Sequence, residues 1–374
     1  MSKKYFIAVI GAGEGGFPIL RRAKDLEYVS TIAFGNADSL ARDLADVFVE
    51  ADIFNVDYIV STCRRYNVDG VIATSESTTE VTAIIAHQLG LPGNDISNGF
   101  GARNKYLMRC RVSALASIRQ PLYSLHERGN KYSYPVVVKA PDSCGKRGIS
   151  IVYEEAGLEK AIAYAQSFSS AGTVLVEEYL EGGQEYSIEC LISEGKSIIV
   201  QYTEKETSGP PHFVEVAHHQ PALLSDEMRE RIKAATDDIL RVLGIRCGMA
   251  HLEIKIIEDN IYFIEVGARG GGDHIADVLT LKSTDCDYFK CAIDCCLGIY
   301  QYQEIHNIAY SGIYFHCIEN SYLRPLFAQA DSASWCVINN VNNEEFSEAA
   351  SNIDTSNSGF IIYSSDHKIT IKDI

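Results

Sequence analysis

The sequence predicts an α/β protein, with a doubly wound parallel sheet at the N-terminus and a larger mixed α+β region after it. Three observations support this fold class. The first hundred residues alternate between buried strand runs and helices, which is typical of parallel sheets. From about residue 100 onward, short strand runs follow one another with turns between them. The chain has 374 residues, which is enough for two or three domains.

The elements of the first hundred residues follow in order. The strand YFIAVIGAG leads into the helix FPILRRAKDL, and the strand VSTIAFG leads into SLARDLADVFVE, which occupies the position of a helix. VDYIVSTCRRYNV is predicted as a helix, DGVIATS as a strand and TTEVTAIIAHQLG as a helix. Gly90 is expected to end the last helix, because Pro92 lies just beyond it. We assign residues 1–100 to this first domain.

The second region is predicted to contain a series of strands interrupted by helices. The strands are YSYPVVVKA, GISIVY, TVLVEEYL, EYSIECLI and KSIIVQY, and the helices are GARNKYLMRCRVSAL, EEAGLEKAIAYAQSF and DEMRERIKAATDDILRVLG. MAHLEIKII and NIYFIEV form a predicted hairpin that turns at Glu258 and Asp259. We assign residues 101–310 to this domain and 311–374 to a C-terminal α+β extension that packs on it.

Composition argues against several classes of function. The formal net charge of −17 would repel a phosphate backbone, so we expect no binding to nucleic acid. No apolar run reaches the roughly 18 residues that a membrane span needs. The eleven cysteines show no paired spacing, so they are expected to be reduced thiols in a cytoplasmic protein. Cys291, Cys295 and Cys296 lie at helical spacing in an apolar run, which favours burial over zinc binding.

A glycine motif directly follows the first strand. Gly11, Gly13 and Gly16 satisfy the GxGxxG pattern of dinucleotide-binding domains. That pattern also requires an acidic residue at the end of the second strand, and here the strand ends at Gly35 and Asn36. The sequence therefore favours a tight strand-to-helix turn. A nicotinamide-dependent oxidoreductase is the less favoured alternative.

A cationic glycine hairpin lies in the middle of the chain. Lys139 ends the apolar strand PVVVKA, and the segment from Ser143 to Gly148 follows it before the strand ISIVY. Glycines allow backbone N–H groups to approach phosphate oxygens, and the cations Lys146 and Arg147 offset their charge. The segment is equally compatible with a surface hairpin that has a solvated basic tip.

Two groups of acidic residues follow this hairpin. Glu177 and Glu178 close one strand and Glu185 opens the next, a junction that can pair with an adenine edge and with ribose hydroxyls. Glu253 and Glu265 lie on the two strands of the predicted hairpin, within apolar stretches where a bare carboxylate is costly unless it is paired or bound to metal. Carboxylate oxygens suit Mg²⁺, although two solvent-facing glutamates are the alternative.

The ordered set of motifs resembles the ATP-grasp superfamily over roughly residues 5–300. The segments that carry the resemblance are NK in GARNKYLMR, VVVKAPDSCGKRGI, VEEYLEGGQEYSIE, HLEIK and FIEVGARGGGDHI. The resemblance implies an ATP-grasp fold, in which two α+β subdomains clasp ATP, preceded by a pre-ATP-grasp domain at residues 1–100. It also implies a flexible lid at about residues 130–185.

The resemblance assigns roles to matching positions. Lys105 and Lys139 match the two lysines that contact phosphate, and Gly145, Lys146, Arg147 and Gly148 match the loop over the phosphates. Glu177, Glu178 and Leu180 match the adenine hinge, and Glu185 matches the acid that binds ribose. Glu253 and Glu265 match the magnesium ligands, and Arg269 matches the arginine that contacts the transferring phosphate.

One departure and one further pattern point to a branch of the superfamily. Many relatives have Asn two residues after the second metal glutamate, and this chain has Gly267, which alters the ligand set of the second metal ion. The Glu-x-Gly-x-Arg pattern is similar to the L-amino-acid ligases, which make dipeptides. In that branch a Glu-x-x-His pair lies at the substrate pocket, and Glu215 with His218 forms such a pair here.

Several roles near this pocket stay open at the level of sequence. By similarity, Glu215 would bind a substrate ammonium and His218 would lie beside the acyl centre, with the adjacent His219 as an alternative. Asp273 and His274 are expected to line the acyl pocket, while a helix N-cap is the alternative for Asp273. His251 is expected to point away from the neighbourhood of Glu253 or into the core.

The resemblance implies an enzyme that uses ATP and Mg²⁺, with Mn²⁺ as an alternative, to join a small carboxylate to an amine. The catalytic residues would be Arg269, Lys139 and His218. The L-amino-acid ligase branch suggests L-amino acids as substrates, and a sugar amine or a biosynthetic intermediate is the alternative acceptor. A non-catalytic nucleotide-binding module is a third alternative. Neither nucleic acid nor membrane is an expected partner, and the superfamily allows a homodimer.

Overall fold

The computed structural model describes residues 4–97, 101–145, 147–209, 215–341 and 359–373. The first part is a parallel four-stranded sheet of order β3-β2-β1-β4. Its elements are β1 (Tyr5–Ile10), α1 (Gly16–Lys24), β2 (Val29–Gly35), β3 (Val47–Glu50), α2 (Val56–Tyr66), β4 (Gly70–Ala73) and α3 (Thr79–Leu89). Apolar side chains from α2 and α3 pack on one face of the sheet and side chains from α1 pack on the other. The prediction of a doubly wound sheet is confirmed.

The segment SLARDLADVFVE is not the helix that the alternation predicted. It contains one short 3₁₀ turn, Arg42–Leu44, followed by the edge strand β3. Val47 pairs in parallel with Ile32 of β2. Val47, Phe48 and Val49 are β-branched or aromatic residues, which favour a pleated strand over a helix, so pairing with the sheet edge decides the structure here.

The glycine-rich turn after β1 is tightly packed. A Cβ atom on Gly15 would lie 2.2 Å from the Thr74 carbonyl oxygen, and one on Gly16 would lie 2.4 Å from the Gly11 carbonyl oxygen. These positions therefore need glycine because backbone segments approach each other closely. This packing supports the interpretation of the motif as a structural turn.

A second, antiparallel sheet of order β5-β8-β6-β7 follows the short helix α4 (Lys105–Val112). Its elements are β5 (Tyr123–Leu125), β6 (Val136–Lys139), β7 (Ile149–Val152), α5 (Leu158–Phe168) and β8 (Leu175–Glu178). Helix α5 packs against valines of β6, β7 and β8 to form a small separate core. The cationic glycine segment is the connection between β6 and β7.

The third sheet has eight strands in the order β13-β12-β9-β10-β11-β14-β16-β15, and every adjacent pair is antiparallel. Its strands are β9 (Gln184–Ser193), β10 (Lys196–Thr207), β11 (Glu215–Gln220), β12 (Gly248–Ile257), β13 (Asn260–Gly267), β14 (Tyr310–Phe315), β15 (Cys336–Asn339) and β16 (Phe360–Ser365). The remaining helices are α6 (Asp226–Leu243), α7 (Thr280–Ser283), α8 (Tyr288–Cys296) and α9 (Arg324–Gln329).

Two helices cover the central strands of this large sheet. Helix α6 is capped by Ser225, whose side chain accepts from the Met228 N–H, and it packs on one face. Helix α8 packs between the large sheet and the first parallel sheet, so one apolar core joins the two. Cys291, Cys295 and Cys296 are buried on α8, and the prediction of buried thiols is confirmed.

The predicted hairpin of β12 and β13 forms as expected. Glu258 and Asp259 both have positive φ angles, 47° and 62°, as a two-residue turn between twisted strands requires. Strands β14 to β16 extend the same large sheet, and the division of the chain at residues 100 and 310 stays a prediction. Within the described residues, no helix combines the length and the apolar character that would let it cross a membrane.

Candidate functional site

The hairpin of β12 and β13 places two carboxylates side by side. Glu253 and Glu265 are paired across the two antiparallel strands, with a β-bulge directly after Glu253. Both side chains are partly buried. Neighbouring cations outweigh the effect of burial and hold the pKa of each carboxyl below its usual range. The two groups are therefore ionised, and each has a basic side chain in contact with it.

Lys105 supplies the cation next to Glu265. It is the first residue of α4, which Asn104 caps, and its Nζ lies 3.0 Å from Glu265 Oε2. The same Nζ donates to the Ser143 carbonyl oxygen at 2.8 Å. Burial opposes the charged form of Lys105, but the carboxylates of Glu265 and Glu76 outweigh it and raise its pKa. Lys105 thus connects the acidic pair to the start of the glycine loop.

Lys139 lies at the end of β6 in a buried ion-pair cluster. Its Nζ pairs with Glu177, and Arg109 Nε donates to Glu177 Oε1 at 2.7 Å. Arg109 also donates from Nη1 to the Phe263 carbonyl oxygen at 3.1 Å. Burial opposes ionisation of Glu177, yet Lys139 and Arg109 lower its pKa to about 2. For Lys139, the effect of burial on the pKa is larger than the opposing effect of the Glu177 carboxylate, so the pKa of the lysine is lowered.

Lys139, Lys105 and Glu265 act on one another electrostatically. The charge of Lys139 contributes to the low pKa of Glu265, and the charge of Lys105 contributes to the lowered pKa of Lys139. The contacts of α4 agree with this: the Lys105 N–H donates to the Pro141 carbonyl oxygen just beyond β6 at 2.7 Å, and Arg109 contacts both Glu177 of β8 and the Phe263 carbonyl oxygen of β13. Helix α4 therefore lies against both the end of β6 and β13. The residues that the sequence grouped around one triphosphate are brought together.

The loop over this cleft is built from glycines with left-handed backbone. Gly145 has φ of 63° and Gly148 has φ of 73°, where an added Cβ on Gly148 would lie 3.0 Å from Phe168 Cβ. Arg147 is exposed and donates from Nε to the Cys144 carbonyl oxygen at 3.2 Å. Lys146 lies outside the described residues.

The junction between β8 and β9 contains the hinge candidates. Glu178 is exposed, and its Oε2 accepts from the Leu122 N–H at 3.1 Å. Lys255 Nζ donates to the Leu180 carbonyl oxygen at 3.0 Å and lies 3.6 Å from Glu185 Oε1. Lys255 of β12 therefore holds both Leu180 and Glu185 against the large sheet.

Sequence inspection missed a lysine at the centre of the site. Lys205 lies near the end of β10, and its Nζ is 2.7 Å from Glu253 Oε1 and 3.4 Å from Glu215 Oε1. Its side chain is only 8% exposed. Burial opposes its charge, but Glu215 and Glu253 outweigh burial and keep its pKa well above the usual value. Lys205 is thus a cation between the metal candidate and the proposed ammonium binder.

A second missed group is a buried carboxylate on β9. Glu189 is fully buried, pairs with His251 Nδ1, and accepts from the Gly271 N–H at 3.0 Å. His251 Nε2 in turn lies 3.2 Å from Glu253 Oε1. The expectation that His251 points away from Glu253 is therefore wrong, whereas the alternative of a buried side chain agrees with its 6% exposure. Burial opposes its charge, but the buried Glu189 carboxylate outweighs burial, draws the ring toward the acidic pair and raises the His251 pKa to about 9.

Arg269 connects the hairpin to the first domain. Its Nη2 lies 3.4 Å from Glu76 Oε2, and its Nη1 donates to the Gly270 carbonyl oxygen at 2.8 Å. Glu76 follows β4 and was not singled out from the sequence. Burial and repulsion from Glu265 raise the pKa of Glu76. A Cβ on Gly267 would lie 3.3 Å from Arg269 Cγ, so glycine at 267 lets the arginine lie close to the backbone.

The glycine run after Arg269 leads into a strained turn. Asp273 and His274 have φ angles of 51° and 60°, which non-glycine residues rarely adopt and which are common at binding sites. His218 Nε2 lies 3.4 Å from Asp273 Oδ2, and His274 Nδ1 lies 3.0 Å from Asp277 Oδ2. The helical turn that follows begins after His274, so the N-cap alternative for Asp273 is wrong.

The two adjacent histidines of β11 face opposite directions. His218 is fully buried beside Asp273, and within the described residues its Nδ1 has no hydrogen-bond partner. His219 Nδ1 lies 2.9 Å from the Tyr363 hydroxyl, and its Nε2 lies 3.1 Å from Glu206 Oε1. His218 is therefore the histidine on the side of the glycine run, and His219 faces the C-terminal strands.

The carboxylate pair fits a magnesium ion that is shared with a nucleotide. In the described part of the chain, no group of three or more His, Cys, Asp and Glu side chains could hold a metal ion by itself. Mg²⁺ usually takes one or two carboxylates and completes its shell with water and phosphate oxygens. Glu253 and Glu265 are ionised and adjacent, which matches such a partial site.

Comparison with known proteins identifies the class of this fold. A family model for the ATP-grasp domain matches residues 132–277. The crystal structure of L-amino acid ligase from Bacillus licheniformis superposes with a TM-score of 0.78 at 21% identity, covering 100% of this chain and 95% of that one. The biotin carboxylase domain of Hydrogenobacter thermophilus 2-oxoglutarate carboxylase, solved with MgADP and bicarbonate, gives a TM-score of 0.72 at 19% identity, covering 98% and 87%.

Sequence relatives agree with the structural ones. Dapdiamide A synthase from Enterobacter agglomerans is 26% identical over 300 residues, which is 73% of this chain and 69% of that protein. The carbamoyl phosphate synthase large chain of Synechocystis sp. is 29% identical over 142 residues, which is 37% of this chain but only 13% of that protein.

Residues 132–277 thus form an ATP-grasp domain, preceded by a parallel sheet of the pre-ATP-grasp kind. The predicted resemblance of the chain to ATP-grasp carboxylate–amine ligases is confirmed.

Proposed function

We propose that this chain is an ATP-dependent, ADP-forming ligase that joins a carboxylate to an amine through an acyl phosphate. The observation that carries this proposal is the set of contacts around α4. Lys105 pairs with Glu265 beside Glu253, and Arg109 is joined through Glu177 to Lys139, at the cleft that we propose between the two antiparallel sheets. Such a cleft has the charges that a triphosphate and a divalent cation need. The ligases among its relatives support the reaction class.

ATP would lie between the small and the large antiparallel sheet. Lys105 and Lys139 would contact its phosphates, and the loop from Gly145 to Gly148, including Lys146 and Arg147, would close over them. The hinge residues Glu177, Glu178 and Leu180 would border adenine, and Glu185 would accept from the ribose hydroxyls. Mg²⁺ would be held by Glu253 and Glu265, where it offsets phosphate charge, and Mn²⁺ could replace it.

The first chemical step is phosphoryl transfer to the acid. A carboxylate oxygen attacks the γ-phosphorus, the bond to the β,γ-bridging oxygen breaks, and ADP leaves. Lys139 and Arg269 offset the charge that spreads over the equatorial oxygens, because this reaction depends mainly on positioning and charge. Glu76 holds the Arg269 guanidinium from the side of the first domain. The loop excludes water and so protects the acyl phosphate.

The second step is attack by the amine. The amine nitrogen bonds to the carbonyl carbon, phosphate leaves with both electrons of the C–O bond, and one proton must be removed from the nitrogen. His218 lies beside Asp273 and has an available ring nitrogen, so it can accept that proton. Glu215, Asp273 and His274 would line the substrate pocket, with L-amino acids as candidate substrates.

We also propose where the enzyme is located, what kind of substrate it takes and how it assembles. The eleven free thiols favour a cytoplasmic protein. The negative net charge favours small substrates over nucleic acid. Oligomers are compatible with the fold, and a homodimer is the form that we propose. An acceptor such as a sugar amine or a biosynthetic intermediate is the alternative to an amino acid.

Release of ADP and phosphate from Mg-ATP tests the reaction class. A panel of carboxylic acids and amines is supplied singly and in pairs, and products are analysed by mass. We expect sustained release only when an acid and an amine are both present, with a product equal to their sum minus water. Release driven by bicarbonate alone would instead indicate carboxylase chemistry.

The variant Glu265→Ala tests the assignment of the metal carboxylate. We expect it to lose ATP turnover while keeping its circular dichroism spectrum, because the partial metal site is then broken. Glu258→Gln, in the exposed turn of the same hairpin, is the matched control and should keep full activity. Normal turnover in Glu265→Ala would refute the assignment.

A further inference from the structure

The pocket for the acid substrate already contains a cation. Glu215, the residue expected to bind a substrate ammonium, is buried, and its Oε1 lies 3.4 Å from Lys205 Nζ. The side chains of Glu215 and Lys205 are each 8% exposed, so water screens this pair only weakly. The negative charge that would attract an ammonium group is therefore offset by a residue of the chain itself.

The position of Lys205 is fixed from several sides. Its Nζ donates to Glu253 Oε1 at 2.7 Å, and its backbone pairs with His218 across β10 and β11. Within the described residues, Glu253 and Glu215 are the two carboxylates within ion-pair distance of Lys205 Nζ. A divalent cation held at Glu253 would add positive charge there, and Lys205 would then pair more strongly with Glu215.

A second ammonium group would be unfavourable beside this lysine. To reach Glu215, the α-ammonium of an amino acid would have to lie within a few ångströms of Lys205 Nζ. Like charges held that close in a desolvated pocket repel strongly. An uncharged substituent at the same place meets no such repulsion from Lys205.

We propose that the acid substrate carries no ammonium group beside its reacting carboxylate, and that Lys205 is the residue that excludes it. This inference rests on the proposed ligase function. It concerns the acid substrate and not the amine. An amino acid can then serve as the amine, since its nitrogen must reach the acyl carbon from the side of His218 and Asp273.

Hydroxylamine trapping tests this proposal without knowledge of the natural amine. Hydroxylamine attacks the acyl carbon of an acyl phosphate, releases phosphate and leaves a hydroxamate that iron(III) colours. Each acid is supplied in two forms that differ only in the ammonium group, such as L-alanine with L-lactate, L-aspartate with L-malate and L-phenylalanine with L-phenyllactate. The measured quantity is kcat/KM for hydroxamate formation in each pair.

We expect the hydroxy acid of the best-used pair to exceed its amino acid at least about tenfold. Lys205→Met should reduce that ratio about tenfold or more, while Lys205→Arg, which keeps the charge, should preserve it. Calorimetric binding of Mg-ATP to each variant checks that the nucleotide site remains intact.

Two results would overturn the proposal. One is a wild-type enzyme that uses the amino acid of the best pair better than its hydroxy acid. The other is a preference that stays unchanged in a Lys205→Met variant that still binds Mg-ATP. If no acid of either kind yields ADP and hydroxamate, the ligase function itself fails, and this result is distinct from a reversed preference.

Discussion

At the scale of single residues, the buried carboxylate of Glu177 positions two cations of the candidate site. It is 3% exposed and pairs with both Arg109 and Lys139, and these three residues come from β8, α4 and β6. The position of Lys139 toward the cleft therefore depends on a buried anion that need not touch the nucleotide. The sequence pattern suggested a hinge role for Glu177, and its buried side chain adds a positioning role for the lysine.

Glu177→Gln should destabilise the protein by about 3–5 kcal/mol at pH 7, because two buried cations lose their counter-charge. The pKa of Glu177 is lowered from an ordinary value near 4.5 to about 2. Its ionic contribution is thus complete above pH 4.5 and is lost as the pH falls through about 2. Urea unfolding of the wild type and of Glu177→Gln at several pH values measures this effect. The difference between their free energies of unfolding should decrease as the pH falls from 4.5 toward about 2.

Glu178→Gln is the matched control for this prediction. Glu178 is the next residue along the chain and is exposed, so its neutralisation should change the free energy of unfolding by no more than about 0.5 kcal/mol. A gap between wild type and Glu177→Gln that stays constant from pH 7 to pH 3 would contradict the ionic account.

At the scale of elements, the connection between β6 and β7 is the part that we propose closes over the phosphates. Its glycines have backbone angles that other residues adopt at a cost of roughly 1–2 kcal/mol each. Gly148 is also packed against Phe168 of α5, so its conformation is tied to the small core. Closure of the loop would then be sensitive to this one contact.

Gly148→Ala should raise the KM for ATP several-fold, because the added methyl group meets Phe168 and strains the left-handed backbone of the loop. Steady-state kinetics with varied Mg-ATP measures the effect. Gly129→Ala is the control, since Gly129 has φ of 94° but no atom within 4 Å of its Cβ position. An equal change in both variants would show that loop packing is not the cause.

At the scale of the whole molecule, Arg269 and Glu76 join the first domain to the ATP-grasp hairpin. The pair lies at the edge of the core that α8 shares between the two sheets. A displacement of the first domain would therefore be transmitted to Arg269, the arginine that we propose contacts the transferring phosphate. If Arg269 has the proposed role, this contact allows the parallel sheet to affect catalysis without binding a nucleotide.

Glu76→Gln should lower kcat about tenfold to a hundredfold, because Arg269 loses its charged anchor and misplacement of such a group is costly. Thermal stability should change little, because the stabilisation that the Glu76 carboxylate gains from Arg269 and Lys105 is offset by the cost of its burial and by repulsion from Glu265. Glu80→Gln is the control. Glu80 lies on the same domain as Glu76, and the substitution removes its exposed ion pair with Arg103, so kcat should be unchanged. An unaltered kcat in Glu76→Gln would remove this link from the mechanism.

Mg-ATP should raise the melting temperature of the whole chain, and NADH should not. A ligand at one hundred times its Kd stabilises the folded state by about 2.7 kcal/mol. The effect should weaken when EDTA removes the metal, because the acidic pair then repels the phosphates. A shift with NADH alone would instead support the dinucleotide interpretation of Gly11, Gly13 and Gly16.

The sequence was a good guide to the fold and to the residues that form motifs. Lys139, Glu253 and Glu265 were singled out because each lies at the end of a strand or within an apolar run, and Lys105 was assigned only through the family resemblance. Lys205 and Glu189 were missed because each is one polar residue on a strand, and only the antiparallel pairing of distant strands shows what it faces. Glu76 was missed because its partner is nearly two hundred residues away.

Oxygen transfer from the acid substrate tests the central claim most directly. An acid that supports ADP release is labelled with ¹⁸O in its carboxylate, and the phosphate formed during coupling is analysed by mass spectrometry. If the carboxylate attacks the γ-phosphate, each inorganic phosphate carries one oxygen from the acid. Unlabelled phosphate beside a labelled amide, or label found in AMP, would contradict the acyl-phosphate mechanism.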